Sequence, residues 1–163
     1  MQTDINYVFV QAVGEVLAAE ANVQVNRGPH EVQHDTYVTN DITVLFSLVG
    51  DLSGVAILSL SRIAAQAIIY EISGNRLVDF DKLAHSGICE LGNLIIGRAR
   101  TKMAELGLDT DISVPTLIVG KGSRISTLNI TRLVTPLETE SGTLHLSLAL
   151  RESSDSLPCR AVS

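Results

Sequence analysis

The longest periodic segment of the chain runs from about Phe80 to Leu106 and closes at Gly107. Its apolar residues recur at three- and four-residue steps, as in an amphipathic helix. Arg98 and Lys102 lie in its C-terminal half, where the helix dipole favours positive charge. We therefore predict one long helix in the middle of the chain and take it as the central element of the fold.

Shorter helical patterns lie on the N-terminal side of this segment. A first amphipathic helix is predicted over residues 3–19. A second, shorter one is predicted over residues 63–72, with Ser61 as its N-cap and Gly74 as its stop. These helices flank a region with the pattern of strands.

Strand patterns fall between the first two helices and again after Pro115. We expect weak or edge strands within residues 21–38 and a hairpin of residues 42–49 and 55–60 around a turn at 50–54. Three further strands are expected, at residues 116–119, 126–134 and 144–150.

The order of these elements is helix, strands, helices, strands, without alternating βαβ units. This order predicts an α+β fold in which long helices pack on an antiparallel sheet. No glycine-rich phosphate loop is present, so nucleotide binding has no support. We expect residues 1–150 to form a single domain and the polar, aperiodic residues 151–163 to form a disordered tail.

The composition excludes several classes of function. With 45% apolar residues in 163 the chain can bury a core, and its net charge of -6 without a basic stripe disfavours nucleic acid. Three Tyr, three Phe and no Trp predict an aliphatic core and make sugar binding improbable. Cys89 and Cys159 form no disulfide framework, and no signal peptide or membrane span is evident. We expect a soluble protein of the cytoplasm.

The central helix has two distinct faces. At 100° per residue, Ser86, Glu90, Asn93 and Gly97 fall within an arc of about 60°. Opposite them lies an apolar set consisting of Ala84, Ile88, Leu91, Ile95, Ala99 and Leu106. Burial of the apolar set exposes the polar stripe, where Glu90 and Asn93 are neighbours. A solvated helix face commonly carries such residues, but glycines beside Asn93 would allow close approach by another backbone.

The segment SGICELGN, residues 86–93, followed by Pro115, resembles the signature of the CheC/CheX/FliY family of chemotaxis phosphatases. That signature has Asp or Ser, then Glu, then Asn, and a Pro twenty-two positions after the Asn. The resemblance extends from about residue 5 to residue 150 and includes the hairpin VLFSLVGDLSGVAILSL. It implies a CheC/CheX-like fold.

The resemblance also implies an activity, namely removal of the aspartyl phosphate from a CheY-like response regulator. Glu90 matches the acidic residue that pairs with the regulator's lysine, and Asn93 matches the amide that orients the attacking water. Ser86, Gly97 and Pro115 would be supporting residues, with Ser86 and Pro115 holding the helix start and the adjacent strand. The chain itself would bind no metal or other cofactor, and the Mg²⁺ would belong to the regulator.

One departure from the family pattern concerns the number of sites. CheC-type members carry two Glu-Asn helices, whereas residues 61–74 contain Glu71 but have Gly74 where the Asn would stand. A single site resembles CheX members, which are homodimers, so we expect a homodimer. The regulator and its pathway, motility or another two-component output, stay open, and so does a binding module for receiver domains without catalysis.

A second motif competes with this interpretation. Residues 30–34 spell HEVQH, the zinc-protease pattern of two His ligands one helical turn apart. The motif requires a helix, but Pro29 precedes it, strand-like residues flank it, and no third His ligand follows at a suitable spacing. We interpret His30 and His34 as exposed loop residues, and His85 and His145 as isolated ones, and keep a zinc hydrolase as the less favoured alternative.

Overall fold

The computed structural model describes residues 2–74, 81–127 and 129–153. Its helices are α1 (Gln2–Ala21), α2 (Arg62–Ser73) and α3 (Lys82–Glu105). Its strands are β1 (Asn26–Arg27), β2 (Glu31–Gln33), β3 (Tyr37–Val38), β4 (Ile42–Gly50), β5 (Leu52–Leu60), β6 (Thr110–Ile112), β7 (Thr116–Val119), β8 (Arg124–Ile125), β9 (Arg132–Thr139) and β10 (Gly142–Glu152).

Eight of the ten described strands form one antiparallel sheet, with long strands in the middle and short ones at the edges. The order is β1-β9-β10-β5-β4-β6, with β2 also pairing β9 and β7 also pairing β4. β3 and β8 form a separate two-stranded sheet. No described strand pair is parallel, which confirms the predicted α+β class.

The core lies between the three helices and one face of the sheet. Alternate residues of β4 and β10 join helix residues in a single apolar cluster, because successive strand side chains point to opposite faces. Among the described residues its aromatic members are Phe9 of α1 and Phe46 of β4, and the rest are aliphatic. The low aromatic content therefore predicts the character of this core correctly.

Capping residues set the helix boundaries, and those of α2 are the predicted ones. The hydroxyl of Ser61 accepts a hydrogen bond from Ala64 N at 3.0 Å and caps α2. Gly74 ends that helix in the left-handed region at φ 72°, where its N–H donates to the carbonyl of Tyr70. Asp81 caps α3 by accepting from Ala84 N at 3.1 Å.

The ninth strand differs from its prediction. It spans Arg132–Thr139, whereas the described residues 126, 127 and 129–131 lie outside it, and Ile130 N donates to Thr127 O at 2.9 Å. Pro136 is tolerated at this position because β1 and β2 leave a gap opposite it. In that gap only the carbonyl of Pro136 forms a hydrogen bond, which Gly28 N donates at 2.9 Å. A proline at such an interrupted edge costs no ladder hydrogen bond.

Three smaller expectations also need correction. The turn of the first hairpin is tighter than residues 50–54, since β5 begins at Leu52. The tail begins later than expected, because β10 continues to Glu152 and Ser153 N donates to Asp51 O at 2.9 Å. The remainder of the tail, residues 154–163 with Cys159, lies outside the described residues, as does Phe80.

Leu106 was placed on the buried face of the long helix, but its side chain is 56% exposed. It caps α3 with non-helical backbone angles, so the 100° step no longer applies to it. Met103 fills the core at the last turn instead. In the described part of the chain, no helix is both long enough and apolar enough to cross a membrane.

Candidate functional site

The polar stripe of α3 is exposed, as the helical spacing predicts. Glu90, Asn93 and Gly97 face solvent, while the opposite side of the helix is buried against the sheet and the other helices. The buried residues of α3 are Ala84, Ile88, Leu91, Gly92, Ile95, Ile96, Ala99 and Met103. Because this apolar face fixes the rotation of the helix about its axis, it also fixes the direction of the polar stripe.

Glu90 and Asn93 lie one turn apart on this exposed stripe. Within the described ranges, neither the carboxylate nor the amide has a hydrogen bond or an ion pair. The Asn93 amide can both donate and accept, whereas the Glu90 carboxylate only accepts when ionised. The pair therefore presents two different chemical groups to a partner on one rigid surface.

Pro115 is one of the residues predicted to support the site. Pro115 lies directly behind the site: a Cβ added to Gly92 would be 3.0 Å from Pro115 Cβ and 3.5 Å from Phe46 Cε1. The segment before Pro115 is tied to β4, since Ser113 N donates to Ser47 O at 2.8 Å. Gly92 thus permits α3 to lie close to Pro115.

Ser86 does not hold the start of the helix. Asp81 performs that role, and Ser86 lies exposed on the second turn, at the N-terminal end of the polar stripe. The expectation that Ser86 holds the helix start was wrong, because the N-cap residue Asp81 lies before the segment 86–93 that defined the motif.

An ionic cluster lies beyond Asn93 and joins α3 to α1. The Glu15 carboxylate accepts from Lys102 Nζ at 2.8 Å and from Arg98 at 3.0 Å. These partners, Lys102 foremost, hold the pKa of Glu15 below its ordinary value. Sequence reasoning missed this cluster, because Glu15 is more than eighty positions from its partners and no local pattern signals the pairing.

The zinc motif adopts the wrong geometry for a metal site. Residues Glu31–Gln33 form strand β2, and His30 and His34 flank it, both exposed. Four residues of extended chain span roughly 13 Å, whereas two ligands of one zinc ion must lie within a few ångströms of each other. Among the described residues no three His, Cys, Asp or Glu side chains cluster as metal ligands.

The remaining singled-out residues carry no site. His85 is half-buried and His145 is exposed. Cys89 is a half-buried free thiol. In α2, Glu71 is followed by the left-handed Gly74 that ends the helix, so the position where an Asn would stand is no longer helical.

Comparison with known proteins identifies the family of this chain. A family model described as chemotaxis phosphatase CheX matches residues 42–138, and the chain belongs to this family. The CheY-P phosphatase CheX of Thermotoga maritima is 27% identical over 153 residues, which cover 91% of this chain and 97% of that protein.

Solved structures show the same fold. A CheC-like superfamily protein from Shewanella sp. PV-4 superposes with a TM-score of 0.83 at 20% identity, over 93% of this chain and 99% of that one. The CheX–CheY–BeF3–Mg²⁺ complex from Borrelia burgdorferi gives 0.74 at 22% identity, over 90% of this chain and 97% of that one. The CheC/CheX-like fold predicted from the motif is thereby confirmed.

Proposed function

We propose that this protein is a phosphatase that removes the aspartyl phosphate of a CheY-like response regulator, with Glu90 and Asn93 as the residues that act. The observation that carries the proposal is the exposed, unpartnered Glu90–Asn93 pair on a helix whose other face is buried. The family match, the relative named a CheY-P phosphatase and the CheX–CheY complex of another relative support it.

The chemistry requires little from the phosphatase beyond positioning. An acyl phosphate is already reactive, and the regulator's own lysine and Mg²⁺ stabilise the charge that develops in the transition state. The oxygen of a water molecule bonds to phosphorus as the bond to the aspartyl oxygen breaks, which leaves a carboxylate and inorganic phosphate. The missing contribution is a water held in line with that bond.

Asn93 suits this role because its amide binds the water without bringing negative charge to the phosphoryl group. Glu90, one turn earlier, is placed to pair with the regulator's lysine and so to align the two proteins. The Mg²⁺ is proposed to belong to the regulator. We further propose that the reaction takes place in the cytoplasm and that residues 1–150 act as one catalytic domain.

The test measures phosphate loss from a phosphorylated CheY-like regulator. Asn93→Ala is expected to lower kcat about 100-fold, since misplacing a reactant by an ångström has an effect of that size. Glu90→Ala is expected to raise KM more than it lowers kcat. Asn40→Ala, which truncates an exposed Asn away from α3, is the matched control and should behave as wild type.

Two outcomes would contradict the catalytic role. If wild type does not shorten the lifetime of the phosphate on any receiver domain of a host panel, but binds one tightly, the protein is a binding module. If Asn93→Ala retains the full rate, the water is positioned by another group.

We also propose a homodimer, on the basis of the resemblance to single-site CheX members. Sedimentation equilibrium of the purified chain should give twice the mass of 17.5 kDa. A monomer throughout the micromolar range would contradict it.

A further inference from the structure

A groove of about 440 Å³ opens next to Asn93 and runs along the outer side of α3 toward its C-terminal end. Gly97, Arg98 and Thr101 of α3 line it, and Glu15 of α1 forms part of the opposite wall. Because Asn93 itself belongs to the lining, the groove is continuous with the surface proposed to act on the phosphate. A partner bound at Asn93 necessarily lies over one end of it.

Gly97 forms an open part of this groove, and nothing inside the protein requires a glycine there. A Cβ added at Gly97 would meet no atom within 4 Å, and its backbone is not in the left-handed region. An unneeded glycine in a helix interior costs about 1 kcal/mol relative to alanine. The gap it leaves, one turn beyond Asn93, is the kind of space that a backbone outside the chain can enter closely.

The wall of the groove carries two cations and two carboxylates, because Arg98 and Lys102 line it together with Glu15 and Glu105. Glu15 binds both Arg98 and Lys102, so these two cations share one carboxylate. Arg98 is 48% exposed and uses NH1 for Glu15. A guanidinium has five N–H donors in a planar fork, so Arg98 can hold a carboxylate or carbonyl oxygen of a partner while it remains bound to Glu15.

We infer that this groove seats the backbone segment of the response regulator that borders its phosphorylated aspartate, with Gly97 against the segment's backbone and Arg98 donating to its oxygen atoms. The inference rests on the proposed function. A regulator that holds Mg²⁺ must carry carboxylates around its phosphate, because Mg²⁺ takes oxygen ligands. The guanidinium N–H groups of Arg98 that Glu15 does not use are complementary to the oxygen atoms of that rim.

This arrangement assigns binding to the groove and chemistry to Asn93. A side chain at position 97 would keep the regulator's backbone away from α3 and weaken the complex before the phosphate is reached. The rate at saturation would change little, because Asn93 and its water are not touched. Gly97 and Arg98 are therefore specificity-determining residues and not catalytic ones.

The experiment measures kcat and KM for a phosphorylated CheY-like regulator. It also measures the Kd for the same regulator loaded with beryllofluoride and Mg²⁺, a stable mimic. Gly97→Leu is expected to raise KM and Kd at least about tenfold with kcat within about twofold of wild type, as loss of uniform binding requires. Gly97→Ala should give a smaller rise in the same direction. Arg98→Ala should raise KM and Kd, and Arg98→Lys should restore part of the loss.

Two controls separate contact from structure. Glu15→Gln loosens the ionic cluster but leaves Arg98 in place, so it should retain most of the affinity. Arg124→Ala removes an exposed arginine of β8, which does not line the groove, and it should leave KM unchanged. Thermal unfolding of each variant checks that the fold is intact.

The outcomes distinguish this inference from the proposed function. If wild type accelerates dephosphorylation but Gly97→Leu leaves KM and Kd unchanged, the groove does not seat the regulator while the phosphatase activity stands. If Arg124→Ala weakens binding as much as Arg98→Ala, the effect is one of general charge and the assignment of Arg98 is overturned. If wild type shows neither acceleration nor binding with any receiver domain of the host, the proposed function fails first.

Discussion

On the buried face of α3, Gly92 lies against Pro115 and Phe46, whereas on the exposed face Gly97 borders open space. The two glycines flank Asn93 on the same helix and look alike in the sequence. The first is explained by packing within the chain, because an added Cβ would lie 3.0 Å from Pro115 Cβ. The second has no such explanation. The difference shows that a helical glycine indicates a partner only after internal contacts have been examined.

The strongest test of the buried face is a truncation in the core. Ile95, two positions after Asn93, is 2% exposed. Ile95→Ala should lower the free energy of unfolding by about 2–5 kcal/mol, through lost burial and the cavity left behind. Urea denaturation measures this change. The companion variant Asn93→Ala should leave the urea midpoint near that of wild type. If both variants lower the free energy of unfolding equally, the buried and exposed faces of α3 are not distinct.

The next test concerns Gly92 itself. Gly92→Leu forces a large side chain toward Pro115 and Phe46, so it should destabilise the protein by about 1–3 kcal/mol, the usual cost of overpacking. Thermal unfolding followed by circular dichroism measures the change. An unchanged melting temperature would mean that the contact between α3 and Pro115 relaxes freely, and the comparison with Gly97 would then lose its basis.

Gly97→Ala should act in the opposite direction. With open space around the new methyl group, the variant gains helix propensity and should be more stable by up to about 1 kcal/mol. Urea denaturation detects a shift of this size. If this variant is more stable than wild type and yet binds the regulator less well, then the glycine at position 97 lowers the stability of the protein and strengthens its binding. Destabilisation would reveal an internal role for Gly97.

The smallest expected effect is at Glu15. Its folded pKa is lowered by Lys102 and Arg98, so its stabilisation is present above the ordinary value of 4.5 and is lost as the pH falls through the lowered pKa. Because the cluster is partly exposed, Glu15→Gln should cost less than about 1 kcal/mol near pH 7. The variant and wild type should converge in urea denaturation at an acid pH well below 4.5, where the Glu15 carboxylate is protonated in the folded state as well. A constant difference at both pH values would contradict the ionic origin.

The sequence predicted the elements that depend on local patterns. The three helices, the first hairpin and the exposed Glu90–Asn93 stripe follow from periodicity and capping, which are visible within one turn or one strand pair. The two- and three-residue strands β6 and β8 were missed because they are too short to show a period. They exist through pairing with β4 and β3.

Features that join distant parts of the chain could not be predicted in the same way. The contact of Gly92 with Pro115 and the bridge from Glu15 to Arg98 depend on how layers pack. The end of β9 could not be predicted either, because the interrupted neighbouring edge lets the strand continue through Pro136 to Thr139, beyond the predicted end at residue 134.

The left-handed turn at Gly74 limits the valency of the molecule. By ending α2 three residues after Glu71, it leaves the described part of the chain with one helix that presents a Glu–Asn pair. At the proposed site each chain then engages one regulator at a time, and no second Glu–Asn pair among the described residues raises its effective concentration. Phosphate removal should therefore rise in proportion to the number of chains, with a stoichiometry of one regulator per chain.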